Sequence, residues 1–206
     1  MSTRTIYVVD DDDDVRLSLQ SLLSVIPNTL VWGFRSGDAF LEREEELTPG
    51  VVLLDYHMPG STGLDVLRAI KPRGPKFVTV ILTGHGEVSL AVEAMKAGAL
   101  DFLEKPYEHE ALLETLSAAW TRLEENSEQS ERVKAAKAKL ERLSTREVQV
   151  MHGLIQGQSN KIIAYELDLS PRTVEIYRAN LMDKLEVSNL SEALRIAFTA
   201  GMVPSA

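Results

Sequence analysis

Five short apolar runs, each followed by a segment with helical periodicity, dominate the first 125 residues of this chain. The runs cover residues 5–10, 30–34, 51–55, 77–83 and 100–103. The helical segments cover residues 15–25, 38–46, 64–70, 89–97 and 110–123. Apolar strands that alternate with amphipathic helices are typical of a parallel sheet covered on both faces. The pattern predicts an α/β domain over residues 1–125 with a five-stranded, doubly wound parallel sheet.

Three carboxylates, one hydroxyl and one ammonium should meet at one edge of this sheet. The first strand ends in Asp10 and Asp11, the third in Asp55 and the fourth in Thr83, and the fifth is followed by Lys105. Ligands of doubly wound sheets bind at the carboxyl ends of the strands. Clustered carboxylates need a cation to stay ionised, and oxygen ligands without His or Cys favour Mg²⁺. We therefore expect phosphoryl chemistry with Asp55 as acceptor, because a carboxylate can form an aspartyl-phosphate.

Five motifs in order resemble the receiver domain of bacterial two-component response regulators, and most of all the FixJ group of that family. They are VVDD at 8–11, LDYHMP at 54–59, LTGHG at 82–86, AMKAG at 94–98 and DFLEKP at 101–106. The resemblance implies a flavodoxin-like fold and a sensor histidine kinase that phosphorylates Asp55. It also implies that Asp10 and Asp11 hold Mg²⁺ together with Asp55, and that Lys105 contacts the phosphoryl oxygens.

The resemblance further implies a switch in which Thr83 responds to the phosphoryl group and the Phe102 side chain follows it. A simpler interpretation of Phe102 is an ordinary core aromatic. Asp12 to Asp14 are better interpreted as the cap and first turn of the next helix than as metal ligands. His57 and His85 are interpreted as loop histidines. Relatives usually carry Arg at the position of His57, so the lifetime of the phosphoryl group does not follow from the resemblance.

Residues 108–143 contain neither Gly nor Pro. The apolar pattern stops before residue 126 and resumes weakly at residue 133. We interpret residues 126–143 as a helical linker. Its charges favour a solvated segment, with a dimeric coiled coil as the alternative.

Residues 144–206 predict an all-α unit of four helices. Ser144 and Glu147 have capping-box spacing, and Ser170 followed by Pro171 marks the start of the third helix. On that helix, the inner face should carry Val174, Tyr177, Leu181 and Leu185. The opposite face mixes charged, amide and small apolar groups, as reading of the major groove of DNA requires.

The second unit resembles the LuxR-type helix-turn-helix domain, through LSTRE at 143–147, SNKIIA at 159–164 and LSPRTVEIYRANLMDKL at 169–185. The resemblance places three residues at base-facing sites of double-stranded DNA: Glu175, Ile176 and Ala179. It implies phosphate or positioning contacts for six more: Asn160, Lys161, Arg172, Thr173, Arg178 and Lys184. Residues 144–206 carry 6 Lys and Arg against 7 Asp and Glu, so one copy should bind weakly. We therefore expect a homodimer upon phosphorylation. The resemblance implies that its contacts lie at residues 88–102 and 190–200, and an ordinary packed helix is the alternative for both.

Charge and composition exclude several classes of protein. Residues 1–125 hold 11 Lys and Arg against 21 Asp and Glu, and residues 126–206 hold 11 against 10. The acidic first part argues against nucleic-acid binding there, whereas the second part permits it. Without cysteine the chain has no disulfides and no thiol nucleophile. No apolar run approaches the roughly 20 residues that span a bilayer, so we expect a cytoplasmic protein without membrane anchoring.

The main hypothesis is a DNA-binding transcription regulator that is activated by phosphorylation of Asp55 and is not an enzyme. An alternative is an orphan regulator whose receiver never needs phosphate. The intact set of strand-end residues argues against it. A Mg²⁺-dependent phosphohydrolase is a weaker alternative, because such enzymes place a second acid beside the nucleophile, whereas Tyr56 and His57 follow Asp55.

Overall fold

We describe a computed structural model of the chain, which covers residues 3–71, 75–84 and 88–203. Five strands lie in the first part: β1 (Arg4–Val9), β2 (Thr29–Phe34), β3 (Gly50–Asp55), β4 (Phe77–Thr83) and β5 (Asp101–Glu104). They form one parallel sheet in the order β2-β1-β3-β4-β5. The predicted five-stranded, doubly wound sheet is confirmed.

Helices separate the strands: α1 (Asp13–Ser24), α2 (Gly37–Arg43), α3 (Gly63–Ile70), α4 (Val88–Ala97) and α5 (His109–Glu141). Asp12 caps α1, since its side chain accepts the backbone N–H groups of Asp14 and Val15 at 2.9 and 3.2 Å. Asp13 and Asp14 lie in the first turn of α1, where negative charge complements the helix dipole. The interpretation of these aspartates as a helix start is confirmed.

The central strand β3 is buried on both faces, which explains its unbroken apolar sequence. Val52 and Leu54 join one core cluster, and Val51 and Leu53 join the cluster on the opposite face. The parallel register aligns the carboxyl ends of the strands. The strand-end residues therefore gather at one edge.

The second part contains α6 (Thr145–Ile155), α7 (Asn160–Glu166), α8 (Pro171–Leu185) and α9 (Leu190–Thr199). The chain divides into two compact units, residues 1–127 and 128–206. Ala136 and Leu143 are buried and Leu143 belongs to a core cluster of the second unit. The C-terminal part of the segment interpreted as a linker therefore packs as part of that unit. Among the described residues, no helix combines the length and apolar character needed to cross a membrane.

Candidate functional site

Asp10, Asp55 and Lys105 meet at the carboxyl edge of the sheet. The Lys105 Nζ atom donates to Asp10 Oδ2 at 2.7 Å and to Asp55 Oδ1 at 2.6 Å. Both acids are buried, with Asp10 1% and Asp55 6% exposed. Hydrogen bonds between ionised groups are short and strong. One ammonium therefore holds two buried carboxylates together.

The loop after β3 fixes the Asp55 side chain. Asp55 Oδ2 accepts the backbone N–H of His57 at 2.8 Å. The Tyr56 N–H donates to the Leu82 carbonyl oxygen at 2.8 Å, which ties the loop to β4. Gly63 approaches this loop so closely that a Cβ atom there would overlap the Asp55 carbonyl oxygen. A side chain at position 63 would displace the backbone that carries Asp55.

The pKa values of Asp55 and Lys105 both depart from their ordinary values. Burial raises the pKa of Asp55, and so does the nearby Asp10 charge, whereas Lys105 and the His57 N–H act in the opposite direction. Burial alone would lower the pKa of Lys105, but its hydrogen bonds and charge interactions with both carboxylates raise it overall. Lys105 therefore stays charged, whereas burial makes the ionised form of Asp55 less favourable than in water.

Thr83 and Phe102 lie on the two strands beside this site. Thr83 is fully buried at the end of β4, and its carbonyl oxygen accepts the Lys105 N–H at 2.6 Å. Phe102 is partly buried and packs against a core cluster of the first unit. Their coupled movement stays a prediction. His85, which the sequence suggested as a loop histidine, lies outside the described residues.

The structure brings together two of the three carboxylates predicted to bind metal. Asp11 is exposed, whereas Asp10 and Asp55 share the Lys105 ammonium. Within the described ranges, no group of three acidic or histidine side chains is arranged to hold a metal ion. The donors nevertheless fit Mg²⁺, which takes one or two carboxylates and completes its octahedron with water and phosphate oxygens.

Arg16 is a residue at this edge that the sequence analysis does not single out. Its Nη1 atom donates to the Asp10 carbonyl oxygen at 2.8 Å, and its Nη2 atom pairs with the Asp13 carboxylate. The available signal was a basic residue in the first helical turn after an unbroken run of aspartates.

In the second unit, α7 and α8 are joined by a short turn that ends in a helix cap. The Ser170 side chain accepts the Thr173 N–H at 3.0 Å, and Pro171 occupies the first turn of α8. Val174, Leu181 and Leu185 are fully buried and Tyr177 is partly buried. The predicted inner face of α8 is confirmed.

The opposite face of α8 is exposed and chemically mixed. Arg172 and Glu175 form an ion pair at 3.2 Å with side chains 83% and 52% exposed. Ile176 is 51% exposed, and Ala179 is also exposed. This face combines charged groups with small apolar groups.

Three further residues predicted to contact DNA, Asn160, Arg178 and Lys184, have partners within the unit, and Lys161 is exposed. Arg178 Nη1 on α8 donates to Asn160 Oδ1 at the start of α7, at 2.6 Å. Lys184 Nζ donates to Glu147 Oε2 at 2.7 Å, and Glu147 is only 3% exposed. Lys161 is exposed on α7. Sequence patterns do not predict the pair of buried Glu147 with Lys184, because the two residues lie far apart in sequence.

Comparison with known proteins assigns both units. Residues 6–117 match the response regulator receiver domain, and residues 141–197 match the luxR family of bacterial regulatory proteins. The chain belongs to the response regulator family. The transcriptional regulatory protein FixJ of Bradyrhizobium diazoefficiens is 45% identical over 198 residues, covering 96% of each chain. FixJ of Azorhizobium caulinodans is 42% identical over 200 residues, covering 97% of this chain and 94% of that protein.

The chain is also similar to a solved structure of the response regulator StyR, with a TM-score of 0.75 and 33% sequence identity. The match covers 96% of this chain and 99% of the StyR chain. The family and the fold expected from the motifs are thereby confirmed. The chain is a FixJ-like response regulator with a receiver domain and a LuxR-type DNA-binding domain. This is the domain composition of a transcription regulator activated by phosphorylation, and neither alternative hypothesis is favoured.

Proposed function

We propose that Asp55 accepts a phosphoryl group from a sensor histidine kinase and that this event activates DNA binding by the second unit. The observation that carries the proposal is the Lys105 ammonium shared by the two buried carboxylates, at 2.7 and 2.6 Å. A fixed cation at this place can neutralise charge that develops during transfer. A purely structural ion pair would not need a second buried acid.

In the proposed transfer, an Asp55 carboxylate oxygen attacks phosphorus. The new O–P bond forms as the bond between phosphorus and the donor's imidazole nitrogen breaks, and the imidazole leaves with the electron pair. Lys105 then exchanges its hydrogen bond to Asp55 for one to a phosphoryl oxygen. Its hydrogen bond to Asp10 keeps the ammonium at the site.

Mg²⁺ is part of this proposal, with Asp10, Asp11 and Asp55 as the residues that would hold it. When bound, the ion neutralises negative charge on the carboxylates and phosphoryl oxygens. Asp10 and Asp55 already lie on either side of one ammonium. Thr83 and Phe102 would then convert the change at Asp55 into a population shift toward the active conformer.

For DNA recognition, we propose that the exposed face of α8 enters the major groove of double-stranded DNA. Glu175, Ile176 and Ala179 would face the bases, where a carboxylate can accept from cytosine N4 and apolar groups can contact a thymine methyl. Phosphate and positioning contacts are assigned to a second group: Asn160, Lys161, Arg172, Thr173 and Arg178. Lys184 is the weakest candidate, because its ammonium already pairs with buried Glu147.

We further propose that the active form is a homodimer in the cytoplasm that acts without catalytic turnover of its own. The DNA-binding unit has no excess of basic residues, so two copies on one duplex would offset weak binding by each. The receiver dimer surface is assigned to residues 88–102, and that of the second unit to residues 190–200. We assign residues 1–125 to the receiver, residues 126–143 to a helical linker whose C-terminal part packs with the second unit, and residues 144–206 to the DNA-binding domain.

Intact-mass measurement tests the central claim. Incubation of the full chain with acetyl phosphate and Mg²⁺ should add about 80 Da, the mass of one phosphoryl group. Asp55→Asn should abolish the gain, whereas Asp38→Asn, a change on the exposed start of α2, should retain it. Footprinting on genomic DNA fragments should then show tighter binding by the phosphorylated wild type. An unchanged mass would refute the proposed phosphorylation, and equal DNA affinity after a full mass gain would favour an orphan regulator.

A further inference from the structure

Arg16 connects the two ends of the turn between β1 and α1. Its guanidinium reaches the carbonyl oxygen of Asp10 at 2.8 Å and also pairs with the Asp13 carboxylate. The Arg16 side chain is only 13% exposed, whereas that of Asp13 is 78% exposed. Arginine side chains are mostly exposed, so this one is held inward at the acidic edge of the sheet.

The turn that Arg16 spans carries an unusual charge. Residues 10–14 are five consecutive aspartates. Like charges this close repel one another and favour extended arrangements of the chain. Arg16 opposes this repulsion with a hydrogen bond to the backbone as well as with its charge.

Asp11 lies between two anchored residues of this turn. Asp10 Oδ1 accepts the Asp12 N–H at 3.0 Å, and the Asp12 side chain caps α1. Arg16 adds the bond that fixes the Asp10 carbonyl oxygen, at the peptide group that leads directly into Asp11. Arg16 therefore contacts the peptide group that precedes Asp11.

We propose that Arg16 is a positioning residue that holds the β1–α1 turn so that Asp11 can join Asp10 and Asp55 in binding Mg²⁺. The proposal rests on the proposed function of this site. Groups that orient metal ligands typically change metal affinity by about 10- to 100-fold when they are mutated. Arg16 contacts the backbone of one ligand residue and does not itself contact the ion or the phosphoryl group.

Electrostatics and positioning predict opposite effects for loss of this arginine. Removal of a positive charge near a cation site makes the site more negative, so Coulomb attraction alone would tighten Mg²⁺ binding. Loss of the bond to the Asp10 carbonyl oxygen would loosen the turn and weaken Mg²⁺ binding. The direction of the change therefore separates the two roles.

Isothermal titration of Mg²⁺ into the full-length chain tests the proposal. We expect Arg16→Gln to raise the Kd for Mg²⁺ by about 10-fold. Arg16→Lys, which retains the charge but has only one nitrogen to donate, should give a smaller rise. Arg43→Gln is the matched control, since Arg43 is 54% exposed on α2 and pairs only loosely with Glu46 at 3.7 Å. It should leave the Kd within about twofold of wild type.

An Arg16→Gln protein that binds Mg²⁺ as tightly as wild type, or more tightly, would overturn the proposal. So would an Arg16→Lys protein with wild-type affinity, because the two guanidinium nitrogens that link the Asp10 carbonyl oxygen to Asp13 would then not be needed. If Arg16→Gln does not fold, as judged by tryptophan fluorescence, Arg16→Lys decides the question. A wild-type chain that neither binds Mg²⁺ nor gains the mass of a phosphoryl group would refute the proposed function as well. If the wild type binds Mg²⁺ and gains that mass, and the Arg16 variants have the same Kd for Mg²⁺, only the role of Arg16 is refuted.

Discussion

Replacing Lys105 with methionine would leave two buried carboxylates without their shared cation. Methionine removes the charge and keeps an unbranched apolar stem of similar length. In the structure, the side chain of Lys105 is 22% exposed, and those of Asp10 and Asp55 are 1% and 9% exposed. Breaking a buried ion pair by removal of one partner typically costs about 3–5 kcal/mol. We expect Lys105→Met to lower the free energy of unfolding by about 3–4 kcal/mol at pH 7 without Mg²⁺.

Protonation of one carboxylate limits this cost and makes it depend on pH. An ordinary aspartate has a pKa of about 3.9, so its protonation at pH 7 costs about 4 kcal/mol, and at pH 5 about 1.5 kcal/mol. Burial already raises the pKa of Asp55, which makes it the group that takes up the proton. A carboxyl group whose pKa is raised in the folded state contributes most to the free energy of unfolding at low pH, and this contribution falls as the pH rises. The loss caused by Lys105→Met should therefore shrink to about 1.5 kcal/mol at pH 5.

Urea unfolding followed by tryptophan fluorescence can measure this loss in the receiver alone. The chain has two tryptophans, Trp32 and Trp120, and both lie in the first unit. Lys96→Met, at an exposed position of α4, controls for the change of residue type. Saturating Mg²⁺ should recover most of the loss, because a bound ion would offset the negative charge of the two carboxylates. An equal loss at pH 5 and pH 7, insensitive to Mg²⁺, would refute the electrostatic argument and indicate lost packing instead.

Three further predictions concern single residues. Gly63→Ala should destabilise the receiver by about 1–3 kcal/mol in the same urea assay, because the new Cβ would overlap the Asp55 carbonyl oxygen. Burial alone would raise the pKa of Glu147, but the hydrogen bonds from Lys184 and Ser144 hold it below its ordinary value. The stability that the ionised Glu147 side chain contributes is therefore present above pH 4.5 and is lost as the pH falls. Glu147→Gln should therefore speed hydrogen exchange in α6 and α8 at pH 7, which corresponds to a loss of about 1.5–3 kcal/mol in the free energy of opening. This difference between variant and wild type should narrow below pH 4.5. Lys161→Ala should weaken binding to mixed-sequence duplex DNA and reduce the slope of log affinity against log salt by about 1; an unchanged slope would argue against a phosphate contact.

The sequence was sufficient to predict the receiver site where the argument depended on topology alone. Parallel strands align their carboxyl ends, so Asp10 and Asp55 had to lie close once β1 and β3 were neighbours. Lys105 follows β5, two strands away from β3, and its long side chain spans that distance. The inner face of α8 was predictable for a similar reason, since helical periodicity decides which residues point inward.

Contacts between distant side chains were beyond the reach of sequence patterns. The Glu147–Lys184 and Asn160–Arg178 bonds depend on how α6 and α7 pack against α8. Periodicity shows which face of a helix is buried but not which polar groups meet at its margin. The same limit applies to Asp11, which follows Asp10 in sequence yet remains exposed. The weak apolar pattern after residue 133 predicts a linker, although Leu143 is buried in a core cluster of the second unit.

Each of the two units contains a buried carboxylate paired with a lysine, and the difference between the pairs separates function from structure. Glu147 accepts hydrogen bonds from Lys184 and from the Ser144 N–H, both at 2.7 Å, and its pKa falls. Asp55 shares its lysine with a second buried acid, and burial, together with the charge of that acid, raises the pKa of Asp55. A pair that satisfies its carboxylate gains nothing from a further cation, whereas a site with two acids and one ammonium becomes more stable when positive charge enters. Excess negative charge of this kind is typical of functional sites, which supports the proposed role of Asp55 as phosphoryl acceptor and a structural role for Glu147.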